Sequence, residues 1–505
     1  MDHPRRLSTS SSSGESSPIL ANFNSSTSLI LVHDDDEPSS PLDFLDEDEE
    51  VPDSPDFEIR RAYSPPMAPS LVFLYLLSPY LKLGALFLPN TQLPLKFGIP
   101  PLIIFAVLSA FSRQIWYMLA RYMRKADLED IVLDAFARGR GRERQRTWLR
   151  AIVRGGTGLL RVLVAFIYLR ESVHIILPLL PEDLPLPPRP VLTGAFTLLL
   201  LPLVSAQSLG SKRIVYATWT SIATYLIWFC CVAVAHANGT LEINPGWLRM
   251  GTFWQGITTT AFAFTSSSTL PLYASLKAGS PASGLSKSSA SRSFRTLSSL
   301  SVVVAVSFTL PLIFFTAHQN AVFLQDPPPI RLQPFIVALN ALTLLLAIPS
   351  VLVTAPPLPI PARIRRATSG LPTLFSPHLP FLLLAAALSL VPARAARVLS
   401  DALLACACAG TFFLPALVHI TTHFFKRPLA IVMPTIPSPP SDERDRERGL
   451  PSPSAADELL QRKERALQKR QFRKRVVWDI GVWTLLLPVG GGGFVWGAGR
   501  LAGKW

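Results

Sequence analysis

The sequence predicts an all-α, polytopic membrane protein with about eleven transmembrane helices. Hydrophobic residues make up 49% of the 505 residues and charged residues only 16%, against roughly 25% charged residues in an average soluble domain. The apolar residues come in blocks long enough for a helix to cross a hydrocarbon core, which takes about 20 residues. Lys and Arg also concentrate in alternate loops between these blocks, as membrane topology requires.

Eleven apolar segments meet this length criterion, although the ninth is short and lies between Pro380 and Pro392. The ninth is interpreted as a full crossing, as a half-helix or as a re-entrant segment. The predicted segments are 70–89, 98–120, 156–180, 190–206, 213–236, 252–275, 298–318, 333–354, 379–392, 399–421 and 476–498.

The distribution of basic residues predicts the orientation. With the N-terminus in the cytosol, the loops rich in Lys and Arg all fall on the cytosolic side, and the C-terminus is luminal. A net charge of +14 could indicate nucleic-acid binding, but the basic residues flank apolar segments, so no nucleic-acid partner is expected. Asn238 begins an Asn-Gly-Thr sequon in a loop on the luminal side and is the predicted glycosylation site.

Two parts of the chain differ in composition. Residues 1–66 are rich in Ser, Pro, Asp and Glu, which predicts a disordered cytosolic tail that kinases could modify. Residues 67–505 form the predicted transmembrane domain, with a basic cytosolic loop at 422–475. Two segments of the cytosolic loops are predicted to be helical, 126–137 and 455–475. We expect both to lie on anionic lipid at the membrane surface. A solvated charged helix is the alternative for the second.

No enzyme signature is present in the sequence. It contains no P-loop, GxSxG, HExxH or dinucleotide-binding fingerprint, and its four cysteines lie inside apolar blocks. We therefore expect no catalytic residue, no cofactor and no metal site, and we do not interpret the protein as an enzyme.

Irregular residues inside the first apolar segment are the first candidate for a functional site. Pro79 removes a backbone donor and Gly84 tolerates non-helical torsions. Lys82 places a charge at membrane depth. A helix broken here would expose N–H and C=O groups that could hold a carboxylate or an ion. The alternative is a kinked helix end from which Lys82 reaches the membrane surface.

The sixth segment is the second candidate. Eight hydroxyl residues fall within 258–269 and are followed by Pro271. Hydroxyls can satisfy backbone groups where a helix unwinds, and two phenylalanines could wall a small pocket. Hydrogen bonds between helices are the alternative role. The candidate residues are Thr260, Phe262, Phe264, Thr265, Ser266 and Ser267.

Two further clusters carry weaker signals. Arg170, Glu171 and His174 share one side of the third helix and could form a proton relay or an interfacial salt bridge. The glycines at 490–493 in the eleventh helix predict close helix packing rather than transport.

At three places the chain resembles the amino acid/auxin permease family, which includes the fungal vacuolar amino acid transporters. Residues 84–89 (GALFLP) are similar to the Gly-Ala-Gly-Ile-Leu-x-Leu-Pro stretch of its first helix, with Leu86 at the second glycine. Residues 127–136 resemble the loop before its third helix. Residues 262–273 resemble its sixth helix, with Ser266 and Ser267 about where a Cys-His pair falls.

This resemblance implies two inverted five-helix repeats with broken first and sixth helices, plus an eleventh helix. It implies proton-coupled transport by alternating access, with neutral amino acids as the expected substrates, in a vacuolar or other endomembrane. The substrate carboxylate would meet backbone N–H groups near Gly84 and Ala85, with Ser78 close by, and the ammonium would meet the residues of the sixth helix. A transporter-like nutrient sensor or scaffold that does not transport is the alternative.

Overall fold

The computed structural model describes residues 65–91, 93–137, 142–181, 187–239, 241, 252–266, 269–278, 287–317, 332–356, 377–425, 476 and 478–502. Helices are the only regular secondary structure in these residues, which confirms the predicted all-α fold class for this part of the chain. Nearly all of the predicted N-terminal tail and most of the basic loop at 422–475 lie outside the described residues.

The α-helices are numbered in chain order. They are α1 (Pro69–Leu77), α2 (Leu83–Phe87), α3 (Leu95–Met123), α4 (Leu128–Phe136), α5 (Glu143–Ile176), α6 (Pro188–Val204), α7 (Lys212–Ala237), α8 (Thr252–Ala263), α9 (Thr269–Ala278), α10 (Lys287–Ala317), α11 (Gln333–Val353), α12 (Leu379–Ser389), α13 (Ala393–Cys408), α14 (Leu414–Ile420) and α15 (Leu487–Leu501).

Eight described helical stretches are long and apolar enough to cross a membrane, which supports an integral, multi-pass membrane protein. They are Pro69–Thr91, Leu95–Met123, Glu143–Leu179, Lys212–Ala237, Ser293–Phe315, Gln333–Val353, Ala393–Phe425 and Trp478–Arg500.

Three predicted segments appear as shorter helices. The fourth is α6, with 17 residues, and the sixth is divided between α8 and α9. The ninth is α12, with 11 residues, and at 1.5 Å per residue it extends about 16 Å, roughly half of a hydrocarbon core. The count of eleven crossings therefore stays a prediction.

Many of the helices have a proline in their first turn. The first-turn N–H groups of a helix have no partner within it, so a proline there loses no hydrogen bond, and its fixed φ suits the helix. This placement accounts for several of the 47 prolines in an otherwise helical chain. The prolines in first turns include Pro69, Pro188, Pro334, Pro380 and Pro415.

The first transmembrane helix is interrupted, as the sequence predicted. After α1 the chain tightens into a 3₁₀ turn at Ser78–Leu81, which contains Pro79. Lys82 follows with φ −111° and ψ −143°, well outside the helical region. The chain then resumes as α2 and ends in a second 3₁₀ turn at Leu88–Thr91. The break at Lys82 therefore divides this helix in two.

The sixth segment is also interrupted. α8 ends at Ala263, and the N–H groups of Phe264 and Thr265 bond three residues back, to Ala261 and Phe262. These 3₁₀-type bonds tighten the last turn and end the α-helical ladder. The chain is helical again from Thr269, with Pro271 in the first turn of α9. This break also follows the prediction.

The two interrupted helices are in direct contact, because α2 packs against α8. A Cβ atom placed on Gly84 would lie 2.4 Å from the Cα of Ala263, which is far inside van der Waals contact. Gly84 is therefore required for the close approach of the two helices at their breaks.

Segment 126–137, which the charge pattern predicts to be cytosolic, does form a helix, but its apolar face does not lie where we predicted. α4 begins at the N-cap Asp127, whose side chain accepts the N–H of Glu129. Ile131, Val132 and Leu133 are buried, and α4 packs against α5 and α14. Its apolar face therefore covers protein instead of lying in lipid, since a helix of nine residues shows the same apolar stripe in either setting.

The start of the third predicted segment differs from the structure. α5 begins at Glu143, well before the predicted residue 156, because its first turns are polar and exposed and a search for apolar segments does not detect them. At the C-terminal end, a Cβ atom on Gly490 would lie 2.6 Å from the backbone nitrogen of Phe413. The expected close packing of the last helix is therefore confirmed at Gly490.

We expect Gly84→Ala to lower the free energy of unfolding by about 1–3 kcal/mol, because the added methyl must push the backbone of Ala263 away. Thermal unfolding of the detergent-purified protein would measure this loss. Gly194→Ala in α6 is the matched control, since a Cβ atom there meets nothing within 4 Å. Equal melting curves for the two variants would contradict the close contact.

Candidate functional site

A cavity of about 90 Å³ lies where the two helix breaks meet. The residues that line it come from α1, the 3₁₀ turn that follows it, α8 and the break after α8. The others come from α5, α9, α11, α13, the turn before α7, the residue after α11 and the segment 409–413. The lining residues are Tyr75, Ser78, Pro79, Lys82, Leu160, Arg161, Val164, Tyr168, Leu209, Phe262, Thr265, Ser266, Leu272, Ala347, Ser350, Val351, Thr354, Ala407 and Thr411.

The lining combines hydroxyl groups, aromatic rings and positive charge. Lys82 and Arg161 are its two cationic residues, and the described lining contains no Asp, Glu or His. The hydroxyls come from α1, the 3₁₀ turn after it, α5, the break after α8, α11 and the segments that follow α11 and α13, so polar groups converge on the cavity from several elements. Such a lining is typical of a binding site, where a few placed polar groups orient a ligand within apolar walls.

Lys82 connects the first break to α7 and, through Ser221, to α11. Its side chain is only 2% exposed and donates a hydrogen bond to the Ser221 hydroxyl of α7. Ser221 in turn donates to the backbone carbonyl of Thr343 in α11, at 2.9 Å. Lys82 therefore points into the protein, and the alternative of a side chain reaching the membrane surface is wrong.

Arg113, in the middle of α3, connects this helix to α1, to the 3₁₀ turn after α1, to α10 and to the break after α8. Its guanidinium donates to the carbonyl of Leu76 at 2.8 Å, to the hydroxyl of Ser301 at 2.9 Å and to the hydroxyl of Ser266 at 3.0 Å. It also lies over the ring of Tyr80, 4.4 Å from its centroid. The planar group of donors in arginine suits this arrangement, because it can serve several acceptors at once.

Ser266 is the point where the second break is held in place. Besides accepting from Arg113, it donates its backbone N–H to the hydroxyl of Thr411, at 3.2 Å. Thr411 lies in the π-helical segment Ala409–Phe413, and its carbonyl accepts from the hydroxyl of Ser112 in α3. A π-segment frees carbonyl groups for such side-chain bonds, and these segments often occur at functional sites.

The structure brings together only part of the predicted substrate site. Ser78, Phe262, Thr265 and Ser266 line the cavity. Ser267 lies outside the described residues.

Four other predicted substrate-binding residues do not belong to the described lining. Gly84 contacts Ala263, and Ala85 is buried in the same stretch of helix. The hydroxyl of Thr260 donates to the carbonyl of Gly256 within α8, at 2.8 Å. The ring of Phe264 packs against Tyr80, with 5.5 Å between centroids. These residues support the walls of the site.

The residues of the predicted relay do not line the cavity. Arg170 donates to the backbone carbonyl of Val391 at 3.0 Å, Glu171 is buried, and His174 is exposed. None of the three belongs to the described lining.

Sequence reasoning missed several residues at this site, among them Arg113, Ser221, Thr343 and Thr411. Arg113 could have been found, because an arginine inside an apolar segment is costly unless it is paired within the protein. The hydroxyl residues gave no such signal, since Ser and Thr are common in transmembrane helices.

The chain was compared with known families and proteins. No protein-family model matches it, and no curated protein matches it. Its resemblance to the permease family therefore rests on the residues quoted above.

We expect Arg113→Lys to lower the free energy of unfolding by about 1.5–3 kcal/mol, because a single ammonium cannot replace the three hydrogen bonds of the guanidinium. The melting temperature of the purified variant would report this change. Arg121→Lys, in the same helix but exposed, is the control and should leave the melting temperature unchanged. A stable Arg113→Lys variant would contradict the role given to this residue.

Proposed function

We propose that the protein is a secondary transporter that moves amino acids across a membrane by alternating access, coupled to protons. The observation that carries this proposal is the cavity between two interrupted helices. Helix breaks at membrane depth expose backbone polar groups, and discontinuous helices at corresponding positions of two halves form the substrate sites of many transporters. Eleven crossings in two inverted five-helix repeats plus one complete the proposal.

The size of the cavity agrees with a small amino acid. A cavity needs a volume of about 10–15 Å³ to hold one water molecule. A cavity of about 90 Å³ therefore has room for roughly six to nine groups of the size of a water molecule. Alanine, serine and aspartate fall in this range of non-hydrogen atoms.

The polar groups suggest how the substrate would be held. The ammonium of Lys82 and the hydroxyl of Ser78 would bind its carboxylate. Its ammonium would lie near Thr265 and Ser266, beside the carbonyl end of α8, because the C-terminal end of a helix attracts positive charge. Phe262 and Tyr168 would pack against its side chain.

Lys82 is the group that we propose to couple transport to protons. A proton on its Nζ supplies a charge for the substrate carboxylate, and a neutral amine is the less costly form when the site is empty and dry. The other charged or titratable groups around it are Arg161 and Tyr168 of α5, Tyr75 of α1 and, behind Ser266, Arg113. α7 and α11 contribute hydroxyls.

The proposed topology indicates the side of the membrane to which the cavity opens. Leu209 and Thr354 line it, and both stand at helix ends that the charge pattern assigns to the cytosol. We therefore interpret this conformation as open to the cytosol, with the N-terminus cytosolic and the C-terminus luminal. A vacuolar or other endomembrane is the proposed location.

We expect Asn238 to carry a glycan, because it is exposed and ends α7 on the proposed luminal side. Expression in a glycosylating host, followed by endoglycosidase digestion, should lower the apparent mass, and Asn238→Gln should remove the effect. A digestible glycan that persists in Asn238→Gln, or accessibility of Asn238 from the cytosol, would contradict this topology.

We expect the protein in proteoliposomes to accumulate a labelled amino acid when a pH gradient is imposed. Lys82→Met should abolish stimulation by the gradient, because it removes the proton-binding amine. Lys212→Met is the control, since Lys212 is exposed and lies outside the cavity. If no amino acid in a complete panel moved or bound, the proposal would be abandoned.

A sensor that binds the same substrate without moving it is the second candidate. The link from Lys82 through Ser221 to Thr343 favours it, because a rigid tie between the first break and two neighbouring helices would oppose their movement. Saturable binding to the detergent-purified protein, together with no uptake under any gradient, would identify the sensor.

A further inference from the structure

A second cavity, of about 40 Å³, lies at the other end of α2, on the proposed luminal side. Its walls are α2, the 3₁₀ turn after it, the C-terminal parts of α5 and α7, the residue 241 beyond α7 and the N-terminal half of α11. It shares no lining residue with the first cavity, and we call it the luminal cavity. The lining residues are Leu86, Phe87, Pro89, Asn90, Ile175, Trp228, Val232, Leu241, Gln333, Ile336, Val337 and Asn340.

Three residues of this lining carry a buried polar atom without a partner. The Nε1 of Trp228, the Oε1 of Gln333 and the Oδ1 of Asn340 form no hydrogen bond to any residue that the structure describes. The side chain of Trp228 is only 2% exposed. Leaving a buried polar group unpaired is costly, so three of them around one cavity indicate a polar occupant.

The size and chemistry of the luminal cavity suit water. One donor and two acceptors match a molecule that both donates and accepts hydrogen bonds, and a water in a protein typically makes about three. At about 10–15 Å³ for each molecule, the cavity has room for roughly three or four waters. Its described lining contains no charged residue to hold an ion, and even glycine has more non-hydrogen atoms than this space admits.

Hydroxyl groups continue from the luminal cavity towards Lys82. Thr224 lies four residues before Trp228 in α7, so the two share one face of that helix, about one turn apart. Thr343 lies three residues after Asn340 in α11 and is related to it in the same way. The hydroxyls of Thr224 and Thr343 are 3.1 Å apart, which joins the two helices at this level.

Ser221 completes the connection. It lies three residues before Thr224 in α7, donates to the carbonyl of Thr343 at 2.9 Å and accepts from Lys82. All three hydroxyl residues are buried. Ser221, Thr224 and Thr343, which we call the hydroxyl chain, therefore lie between the luminal cavity and the amine of Lys82.

We propose that water in the luminal cavity and the hydroxyl chain form the route by which a proton reaches Lys82 from the lumen. This inference rests on the proposed function, because it supplies the proton for the amine that is assigned there to coupling.

The transfer needs no other reactant. Water and hydroxyl oxygens both accept and donate, so each oxygen takes one proton and releases another. In the last step the Ser221 hydroxyl turns away from the carbonyl of Thr343 and gives its hydrogen to the lone pair of the neutral Lys82 amine. The amine becomes an ammonium, and the next oxygen of the route restores the Ser221 hydroxyl.

Lys82 is the first titratable group on this route, since neither the described lining of the luminal cavity nor the hydroxyl chain contains one. The same two sets of residues carry no formal charge, so nothing in them holds the proton before it arrives. The charged or titratable groups on the elements around Lys82 are Tyr75, Tyr80, Arg113, Arg161, Tyr168 and Tyr225.

The test compares two rates in proteoliposomes, for the best-transported amino acid of the panel. One is uptake driven by a pH gradient, and the other is exchange of labelled for unlabelled substrate at equal pH, which needs no net proton transfer. Trp228→Phe removes the indole N–H, and Asn340→Leu removes the amide at similar volume. We expect each to lower the driven rate by about tenfold, the factor expected for one lost hydrogen bond, and to leave exchange unchanged.

Trp219→Phe is the matched control, because it makes the same substitution in the same helix at a residue that is 52% exposed. It should change neither rate. Hydroxyl-radical footprinting by X-rays detects the water itself: Trp228 should be labelled in spite of its burial, and less so in Asn340→Leu. Melting curves of the purified variants show that they are folded.

The outcomes separate this inference from the proposed function. An equal loss of both rates in folded variants, or no labelling of Trp228 together with unchanged driven uptake, would overturn the proton route and leave amino acid transport standing. Loss of stimulation by Na⁺ or K⁺ instead of by the pH gradient would identify a cation site and also overturn it. If no amino acid moved or bound, the proposed function would fall and the route with it.

Discussion

The structure depends on one constraint: a helix that stops inside a membrane leaves backbone N–H and C=O groups that lipid cannot satisfy. In the part of the chain that the structure describes, two helices stop in this way, at Lys82 and after Ala263. Each break is held by side chains from other helices, through Ser221 for the first and through Arg113 and Thr411 for the second. The surrounding helices are therefore arranged around two irregular points, which they stabilise.

The same side chains give the site its chemical character. Lys82 and Arg113 are expensive to bury, and a fold that needed only stability could use hydrophobic residues of similar volume there. Their presence beside the helix breaks agrees with a role in binding, since ionisable groups inside a membrane domain commonly mark a substrate or ion pathway. Stability and recognition thus use the same few residues, and a substitution at these positions affects both.

Most of the correct predictions follow from short stretches of sequence. The apolar segments, the breaks in the first and sixth segments, and the close packing at Gly490 all follow from residues next to one another in the chain. The position of α4 was predicted wrongly, because an apolar stripe fits a membrane surface and a protein surface equally well. Gly84 was expected to line the site, but it serves the approach of α2 to α8, which depends on Ala263, far away in sequence.

By itself, the sequence determined that the chain is helical and crosses a membrane several times, and it located the two breaks. These properties depend on helix length, proline, glycine and hydrophobicity, which act over a few residues. Only the tertiary structure decided that Lys82 points inward to Ser221, that Arg113 joins both breaks, and that four of the predicted residues meet at a cavity. Those contacts join residues more than a hundred positions apart, so no local pattern carries them.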